Sequence, residues 1–198
     1  MNTVILAAGE GSRMKSKRPK VLHKILGMTM IEHVISAAEK AGSDEICIVV
    51  GHMKDEVMSS LKNEGLRFAK QDIRMGTGHA VKMAGDFIGT GAVFVLYGDT
   101  PLITANSLVR LYRTHQHQKN EVTFITTVTD NPQTYGRIVR ESGQFMRVVE
   151  YSDASPEERL IKEINAGIYC FEAESLQDAL NDLKNNNARN EYYLPDVI

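Results

Sequence analysis

The sequence predicts an α/β fold with a mixed, mostly parallel sheet, helices on both faces and a small antiparallel hairpin insertion. Two nearly continuous apolar runs, at residues 45–50 and 92–97, are typical of strands that are buried on both faces. Helical patterns separate the strands, as crossover connections between parallel strands require. Residues 138–140 and 145–150 flank a turn at Ser142-Gly143, and this arrangement predicts the hairpin.

The other elements follow from hydrophobic spacing and from capping residues. Strands are predicted at residues 3–6, 45–50, 66–69, 92–97, 122–128 and 163–171. Helices are predicted at residues 30–41, 54–61, 104–118 and 175–183, and also from near His79 and from a capping-box start at Ser155-Pro156. The polar residues 185–190 are predicted to form a loop.

The composition is that of one domain with nearly balanced charge. The 198 residues include 23 Lys and Arg against 25 Asp and Glu, a formal net charge of -2, so no general affinity for nucleic acid is expected. Cys47 and Cys170 lie in apolar runs and are predicted to be buried, reduced thiols. Because no apolar run is long enough for a signal peptide or a membrane span, we expect a cytoplasmic protein without a membrane partner.

A glycine loop rich in cations follows the first strand, with the sequence LAAGEGSRMKSKRPK at residues 6–20. Gly9 and Gly11 let backbone N–H groups close around an anion. The cations of the segment are Arg13, Lys15, Lys17, Arg18 and Lys20. Pro19 favours extended backbone before it, so Lys20 is predicted to lie on non-helical backbone. The loop is predicted to bind a strongly negative ligand.

Two other glycine loops are excluded, and one alternative stays open. The third glycine of a dinucleotide-binding loop is replaced by Met14, and the Gly-Lys-Ser/Thr of a Walker loop is absent. The alternative is a solvated basic surface loop. The position directly after a buried strand favours a binding site, since open α/β sheets bind ligands at the carboxyl ends of their strands.

Asp99 is the candidate metal ligand. It follows the apolar strand at residues 92–97 and stands between Gly98 and Pro101. Mg²⁺ takes few protein carboxylates and leaves its other positions to phosphate oxygens, which suits a carboxylate beside a basic glycine loop. The alternative is an aspartate that stabilises its own turn.

Further polar residues suit a base and a sugar. Gln71 offers a paired donor and acceptor, and Gly76-Thr77-Gly78 allows the backbone to approach a flat ligand, although it also suits a plain helix N-terminus. Glu150 and Asn165 suit hydrogen bonds to sugar hydroxyls, with an exposed edge as the alternative. The pair His115 and His117 is interpreted as a solvated helix end rather than as a zinc site.

Seven motifs in collinear order carry a resemblance over the whole chain. They are LAAGEGSRMK with PKVLH at residues 6–23, Gln71 with GTGHA at 76–80, YGDTPL at 97–102, YGR at 135–137, VE at 149–150, EINAGI at 163–168 and NEYYL at 190–194. Together they resemble the uridylyltransferase (pyrophosphorylase) domain of bacterial bifunctional N-acetylglucosamine-1-phosphate uridylyltransferase / glucosamine-1-phosphate acetyltransferases. The first motif alone marks the wider sugar-nucleotidyltransferase family. The motifs GTGHA and EINAGI narrow the resemblance to the N-acetylhexosamine uridylyl enzymes.

The resemblance implies a Rossmann-like nucleotidyltransferase fold and a reaction. UMP would pass from UTP to N-acetylglucosamine 1-phosphate, giving UDP-N-acetylglucosamine and pyrophosphate, with Mg²⁺ as cofactor. By motif position the uridine would be held by Leu6, Ala7, Ala8, Gly9, Gln71, Gly76 and Thr77, the phosphates by the catalytic Arg13 and Lys20, the metal by Asp99, and the acetylated sugar by Gly136, Glu150 and Asn165. The motif of Asp99 adds Tyr97 and Gly98 to the substrate-binding residues.

The resemblance also implies further parts of the protein. Residues 1–198 are expected to be a nucleotidyltransferase domain without its C-terminal part. A second metal-binding asparagine is expected beyond Ile198, as is a left-handed β-helix that acetylates glucosamine 1-phosphate with acetyl-CoA and forms a homotrimer. Three positions depart from the family: Arg74 replaces a common glutamine, Ser152 a lysine and Ala166 a threonine.

Two rival functions remain. One is another sugar-1-phosphate nucleotidyltransferase with a different sugar or base. The other is a catalytically idle nucleotide-sugar-binding module, against which the joint presence of Arg13, Lys20 and Asp99 argues, since a pure binder needs no such phosphate-neutralising set.

Overall fold

The structure, a computed structural model, describes residues 1–11, 14–61 and 65–198. The strands are β1 (Asn2–Ala7), β2 (Lys24–Ile25), β3 (Met28–Thr29), β4 (Glu45–Val50), β5 (Leu66–Lys70), β6 (Ala92–Tyr97), β7 (Val122–Val128), β8 (Arg137–Glu141), β9 (Gln144–Val149) and β10 (Glu163–Glu172). The α-helices are α1 (Met30–Lys40), α2 (Lys54–Ser60), α3 (Thr77–Lys82), α4 (Ala105–Gln118) and α5 (Ala173–Asp182). Short 3-10 turns occur at Lys20–Leu22, Gly85–Ile88, Glu158–Leu160 and Leu194–Val197.

One large sheet organises the described part of the chain, with the order β5-β4-β1-β6-β10-β8-β9, and β7 also pairs with β10. The four strands β5, β4, β1 and β6 run parallel. Strand β10 runs antiparallel to β6, β7 and β8, and β8 and β9 form the antiparallel hairpin. The chain leaves β1 towards β4 on one side and later returns to β6 on the other. The end of β1 is therefore a topological switch point, where such sheets bind ligands.

Helices cover both faces of the sheet. The apolar faces of α1, α2 and α4 pack with Ile5, Ile48 and Phe94 on one side. The faces of α3 and α5 pack with Val4, Val49 and Val95 on the other side. Neighbouring residues of one strand thus point into different layers, which explains why the central strands are apolar at nearly every position. The predicted α/β fold with a mixed sheet, helices on both faces and a hairpin is confirmed.

Capping residues mark the starts of two of the described α-helices, α1 and α4. Thr29 accepts a hydrogen bond from Glu32 N and Glu32 reaches back to Thr29 N, a complete capping box at the start of α1. Thr104 caps α4 as predicted. The capping-box bonds between Ser155 and Glu158 also form, but only the 3-10 turn Glu158–Leu160 follows. The predicted helix there is wrong, because β10 begins at Glu163 and leaves no room for one.

Two further predictions are corrected. Lys20 begins the 3-10 turn Lys20–Leu22 instead of lying on non-helical backbone, because the extended conformation ends at Pro19 and the turn buries Val21 and Leu22. His115 is not on a solvated helix end: it is fully buried, and its ring nitrogens lie 3.0 Å from Thr123 Oγ1 and 3.1 Å from Glu172 Oε1. The tertiary contact of α4 with β7 and β10 covers it.

The predicted state of the cysteines is confirmed, since Cys47 and Cys170 are both buried and free. Burial raises the pKa of the Cys47 thiol to about 11 and that of Cys170 to about 12. In the described ranges, no helix combines the length and the apolar character needed to cross a membrane.

Candidate active site

Two cavities open at the carboxyl edge of the parallel strands. The loop cavity, of about 650 Å³, is lined by Leu6, Ala7, Ala8, Gly9, Glu10, Gly11, Lys20, Val21, Gln71, Arg74, Gly76, Thr77, Ala80, Tyr97, Asp99, Arg189 and Glu191. The hairpin cavity, of about 390 Å³, is lined by Lys20, Thr77, Tyr97, Asp99, Thr100, Gln133, Thr134, Tyr135, Gly136, Glu150, Asn165, Ala166, Gly167, Arg189, Glu191 and Tyr193. Six residues line both: Lys20, Thr77, Tyr97, Asp99, Arg189 and Glu191. We call these six the junction.

Backbone and small side chains form the wall of the loop cavity beside β1. Leu6 lies opposite Tyr97 in the sheet, and Ala7 lies opposite Val50. Beyond the strand, the Ala8 carbonyl accepts a hydrogen bond from His52 N at 3.2 Å. A flat ligand can therefore lie against Ala7, Ala8 and Gly9, which carry no large side chain.

Gln71 lies at the inner end of the loop cavity and is 4% exposed. Its Nε2 donates to the Gly76 carbonyl at 2.9 Å and lies 3.0 Å from His79 Nδ1. Burial, and to a smaller extent Lys82, lowers the pKa of His79 and favours its neutral ring, which can accept this bond. The amide is therefore held in one orientation before any ligand arrives.

Gly76 connects the loop cavity to the C-terminal segment. Its φ is +103°, and a Cβ there would lie 2.4 Å from the Tyr192 carbonyl oxygen. Tyr192 N donates to Met75 O at 2.7 Å, and Gly78 N donates back to Tyr192 O at 2.8 Å. Both the backbone angle and the close approach require glycine at this position.

At the junction, Lys20 Nζ donates a hydrogen bond to Asp99 Oδ2. Lys20 comes from the glycine loop and Asp99 from the end of β6, and their side chains remain 33% and 28% exposed. Tyr97 also belongs to the junction, and a Cβ on Gly167 would lie 2.5 Å from its ring. Burial raises the pKa of Tyr97, opposed by hydrogen bonds with Thr77 and Tyr169, so its hydroxyl stays neutral.

Glu150 and Gly136 form the inner wall of the hairpin cavity. A Cβ on Gly136 would lie 3.2 Å from Glu150 Oε1, so a larger residue would crowd the carboxylate. Burial raises the pKa of Glu150, with Arg189 lowering it and Asp196, Asp153 and Glu191 raising it further. A ligand hydroxyl that donates to Glu150 would therefore replace solvation that burial has removed.

Asn165 lies beside this wall and is 7% exposed. Its Nδ2 donates to Tyr169 Oη at 2.6 Å, and its Oδ1 accepts from Gly167 N at 3.1 Å. Its backbone N donates to Gly136 O at 3.0 Å, which joins the two residues across β10 and β8. The second N–H of the Asn165 amide is left for a ligand.

The buried Arg137 holds part of the backbone that lines the hairpin cavity. It is 1% exposed, and its guanidinium donates to the carbonyls of Pro132 at 3.2 Å, Gln133 at 2.8 Å, Arg159 at 3.4 Å and, at a shorter distance, Tyr135. Tyr151 lies over the guanidinium, with its ring centre 5.5 Å away. Sequence reasoning missed this role, although Arg137 belongs to the YGR motif.

The segment after α5, which includes the predicted loop at residues 185–190, contributes two charged residues to the junction. Asn187 Oδ1 accepts from Arg189 N and Glu191 N, both at 3.2 Å, and Ala188 N donates to Asp153 Oδ1 at 2.8 Å. These bonds place Arg189 and Glu191 on the junction, which composition alone did not reveal. The signal available in the sequence was the NEYYL motif that follows.

The described residues predicted for the site come together, with one exception. Leu6, Ala7, Ala8, Gly9, Gln71 and Gly76 line the loop cavity, Gly136, Glu150 and Asn165 line the hairpin cavity, and Lys20, Thr77, Tyr97 and Asp99 line both. Gly98 lines neither; its N–H donates to Leu6 O at 2.9 Å and ties β6 to β1. Arg13 lies outside the described residues.

Of the three departures, Arg74 and Ala166 line the cavities, and Ser152 lines neither but contacts Tyr193 of the hairpin cavity. Arg74 Nη1 pairs with Glu10 Oε2 at 2.5 Å on the loop cavity and lowers the pKa of that carboxyl. Ser152 Oγ lies 3.4 Å from Tyr193 Oη. Ala166 lines the hairpin cavity.

Asp99 is the carboxylate that could hold a divalent cation. In the described part of the chain no group of three or more His, Cys, Asp or Glu could form a metal site. A single partly exposed carboxylate that lines both cavities suits Mg²⁺, which keeps most positions for water and substrate oxygens. The donor set therefore fits a cation that arrives with its ligand.

The fold and the site together define a nucleoside-triphosphate (NTP) transferase domain of the α/β class. The family model described as "MobA-like NTP transferase domain" matches residues 3–186, and the chain belongs to this family. Within it the chain is similar to proteins named "Bifunctional protein GlmU": 50% identical to that of Acetivibrio thermocellus over 98% of this chain, and 45% identical to that of Bacillus licheniformis over 98%. The chain spans 43% of the length of each of these relatives.

Solved structures support the fold at low sequence identity. A putative glucose-1-phosphate thymidylyltransferase from Bacillus anthracis has a TM-score of 0.83 and 22% identity, covering 99% of this chain and 80% of that one. A UDP-glucose pyrophosphorylase solved with UDP-glucose has a TM-score of 0.79 and 18% identity, covering 99% of this chain and 84% of the other.

Proposed function

We propose that the protein transfers UMP from UTP to N-acetylglucosamine 1-phosphate, giving UDP-N-acetylglucosamine and pyrophosphate. The observation that carries the proposal is the pair of joined cavities with Lys20 and Asp99 at their junction. A nucleoside in one cavity and a sugar in the other bring their phosphates to these two residues. The similarity to proteins named "Bifunctional protein GlmU" supports this choice of substrates.

The loop cavity suits the uridine. Gln71 is buried, and its two amide N–H groups are directed to Gly76 and His79, so its Oε1 is left to accept a hydrogen bond from the ring N–H of a pyrimidine such as uracil. The end of β1 offers backbone and small side chains to the ring and ribose. Arg13, as a cation of the same loop, would contact the triphosphate.

The hairpin cavity suits the acetylated sugar. Glu150 can accept hydrogen bonds from hydroxyls, and Asn165 can donate its second amide N–H. Gly136 keeps the space in front of the carboxylate open. These groups suit an uncharged ring with several hydroxyl groups, and the ring of an N-acetylhexosamine is of this kind.

The residues of the chain act mainly by positioning and by neutralising charge. An oxygen of the sugar phosphate attacks the α-phosphorus of UTP, a new P–O bond forms, and the bond to the pyrophosphate oxygen breaks. Lys20 and Arg13 neutralise the charge that develops on the phosphates. Asp99 would hold Mg²⁺, which adds further positive charge against the phosphate oxygens.

Proposals about the whole protein rest on its relatives. We propose that it also acetylates glucosamine 1-phosphate from acetyl-CoA and forms a homotrimer through the β-helix expected downstream, since the relatives are named bifunctional and this chain spans 43% of their length. A cytoplasmic location stays a prediction.

Pyrophosphate release by the full-length protein tests the main proposal. Four reactions are compared with Mg²⁺ present, combining UTP or dTTP with N-acetylglucosamine 1-phosphate or glucose 1-phosphate. We expect turnover with UTP and N-acetylglucosamine 1-phosphate, at least about tenfold faster than with either analogue, because dTTP carries an extra C5 methyl and lacks the ribose 2′-hydroxyl, and glucose 1-phosphate lacks the acetamido group. Turnover with dTTP and glucose 1-phosphate alone would instead support another sugar nucleotidyltransferase, and binding without any turnover would support an idle module.

A further inference from the structure

Arg189 is a cation of the junction that the resemblance does not assign to any role. It lies on the segment after α5 and lines both cavities. Its backbone N donates to Asn187 Oδ1. Among the described residues, its guanidinium has no hydrogen-bonded or ion-paired partner, although its charge acts on nearby Glu150.

The charges that line the two cavities make this free guanidinium significant. The described lining carries four carboxylates, Glu10, Asp99, Glu150 and Glu191, against three cations, Lys20, Arg74 and Arg189. Two of these cations are already paired, Lys20 with Asp99 and Arg74 with Glu10. Arg189 is therefore the uncommitted cation of the described lining, in a site that is expected to bind phosphates.

The position of Arg189 relative to the ligand follows from the two cavities. Any molecule that fills both must pass through the junction, and for a nucleotide-sugar this connecting part is the diphosphate. The Arg189 backbone N donates to Asn187 Oδ1, and the N of the preceding Ala188 donates to Asp153 Oδ1. The backbone is thus held while the long side chain can turn towards the junction.

We propose that Arg189 binds the phosphate that connects nucleotide and sugar, as a substrate-binding residue in addition to Lys20 and Arg13. A guanidinium can contact two phosphate oxygens at once and does not lose its charge at physiological pH. This proposal rests on the proposed function, because it takes the nucleotide-sugar as the molecule that fills both cavities.

The test compares Arg189→Gln, Arg189→Lys and the control Arg113→Gln in the full-length protein. Arg113 is an exposed arginine of α4 that lines neither cavity. Calorimetry measures the dissociation constant of UDP-N-acetylglucosamine. The dissociation constant of uridine, which carries no phosphate, is measured by its competition with UDP-N-acetylglucosamine. We expect Arg189→Gln to weaken UDP-N-acetylglucosamine binding about tenfold, as loss of one charge-assisted hydrogen bond does. Arg189→Lys should recover part of this loss, and uridine binding should not change.

Each contrary result has its own meaning. Equal binding of UDP-N-acetylglucosamine by wild type and Arg189→Gln would overturn the role of Arg189 and leave the proposed function standing. If wild type does not bind UDP-N-acetylglucosamine, the proposed function fails and this proposal fails with it. The Arg189→Gln effect should persist in a Glu150→Gln background; its disappearance would show that Arg189 acts through Glu150, and would also overturn the phosphate contact.

Discussion

Lys20 Nζ donates a hydrogen bond to Asp99 Oδ2, and this one contact joins the glycine loop after β1 to the end of β6. The two residues are 79 positions apart in the chain and meet because β1 and β6 are parallel neighbours in the sheet. The contact brings the predicted phosphate-binding cation and the predicted metal ligand into the space where two cavities meet.

Replacing Lys20 with alanine should reduce kcat/KM for uridylyl transfer on the order of 10²-fold or more, because a preorganised cation opposite developing phosphate charge is lost. Stability should change little, since both partners of the Lys20–Asp99 pair are about one-third exposed. Initial rates and urea denaturation check the two parts. Lys24→Ala, an exposed lysine of β2, is the control. A Lys20→Ala enzyme within a few-fold of wild type would remove Lys20 from the catalytic residues.

Gly76→Ala should destabilise the fold by about 1–3 kcal/mol, the usual range for backbone strain at positive φ. The new Cβ would also lie 2.4 Å from the Tyr192 carbonyl, so the C-terminal segment would have to move away. Urea denaturation measures the change. Gly65→Ala is the matched control, because a Cβ there has nothing within 4 Å. Equal urea midpoints for Gly76→Ala and Gly65→Ala would contradict the close approach of residue 76 to the Tyr192 carbonyl.

The pH dependence of stability should reveal the buried Glu150. Its pKa in the folded protein is raised from the ordinary 4.5 by burial, so the folded state binds more protons than the unfolded state between the two pKa values. The free energy of unfolding should therefore fall as pH rises through that window, by at most about 1.4 kcal/mol per pH unit for one group.

Denaturation curves of wild type and Glu150→Gln over this pH range isolate the contribution of Glu150. The variant should show a shallower fall, and part of the slope should remain because burial also raises the pKa of Asp196. Superimposable pH profiles would rule out a raised pKa at Glu150.

Arg137→Met should cost about 2–4 kcal/mol, since the carbonyls of Pro132, Gln133, Tyr135 and Arg159 lose their donor. KM for N-acetylglucosamine 1-phosphate should also rise more than KM for UTP, because the same backbone segment lines the hairpin cavity only. Chemical denaturation and initial rates measure both effects. The matched control is Arg140→Met on the same strand, whose guanidinium pairs with Glu163 at the surface. Equal rises of both KM values would indicate a general loss of structure instead of positioning.

Much of the framework of this protein could be predicted from local patterns in the chain. Apolar runs identified the central strands β4 and β6, since a strand covered on both faces must be apolar at nearly every position. Glycines, capping residues and the aspartate after β6 were local signals, because they depend on the backbone conformation of only a few residues. Gln71, Lys20 and Asp99 were therefore selected without knowledge of their neighbours.

The way in which these elements pack together depends on long-range contacts and could not be predicted locally. Strand β7 follows the regular βα alternation, yet it pairs antiparallel with β10, a choice that no local pattern encodes. His115 looked solvated within its own helix but is buried by strands from elsewhere in the chain. The burial of Arg137 and the position of Arg189 between the cavities likewise depend on long-range contacts. Distant segments must come together before the solvent exposure of a side chain and the charges around it are determined.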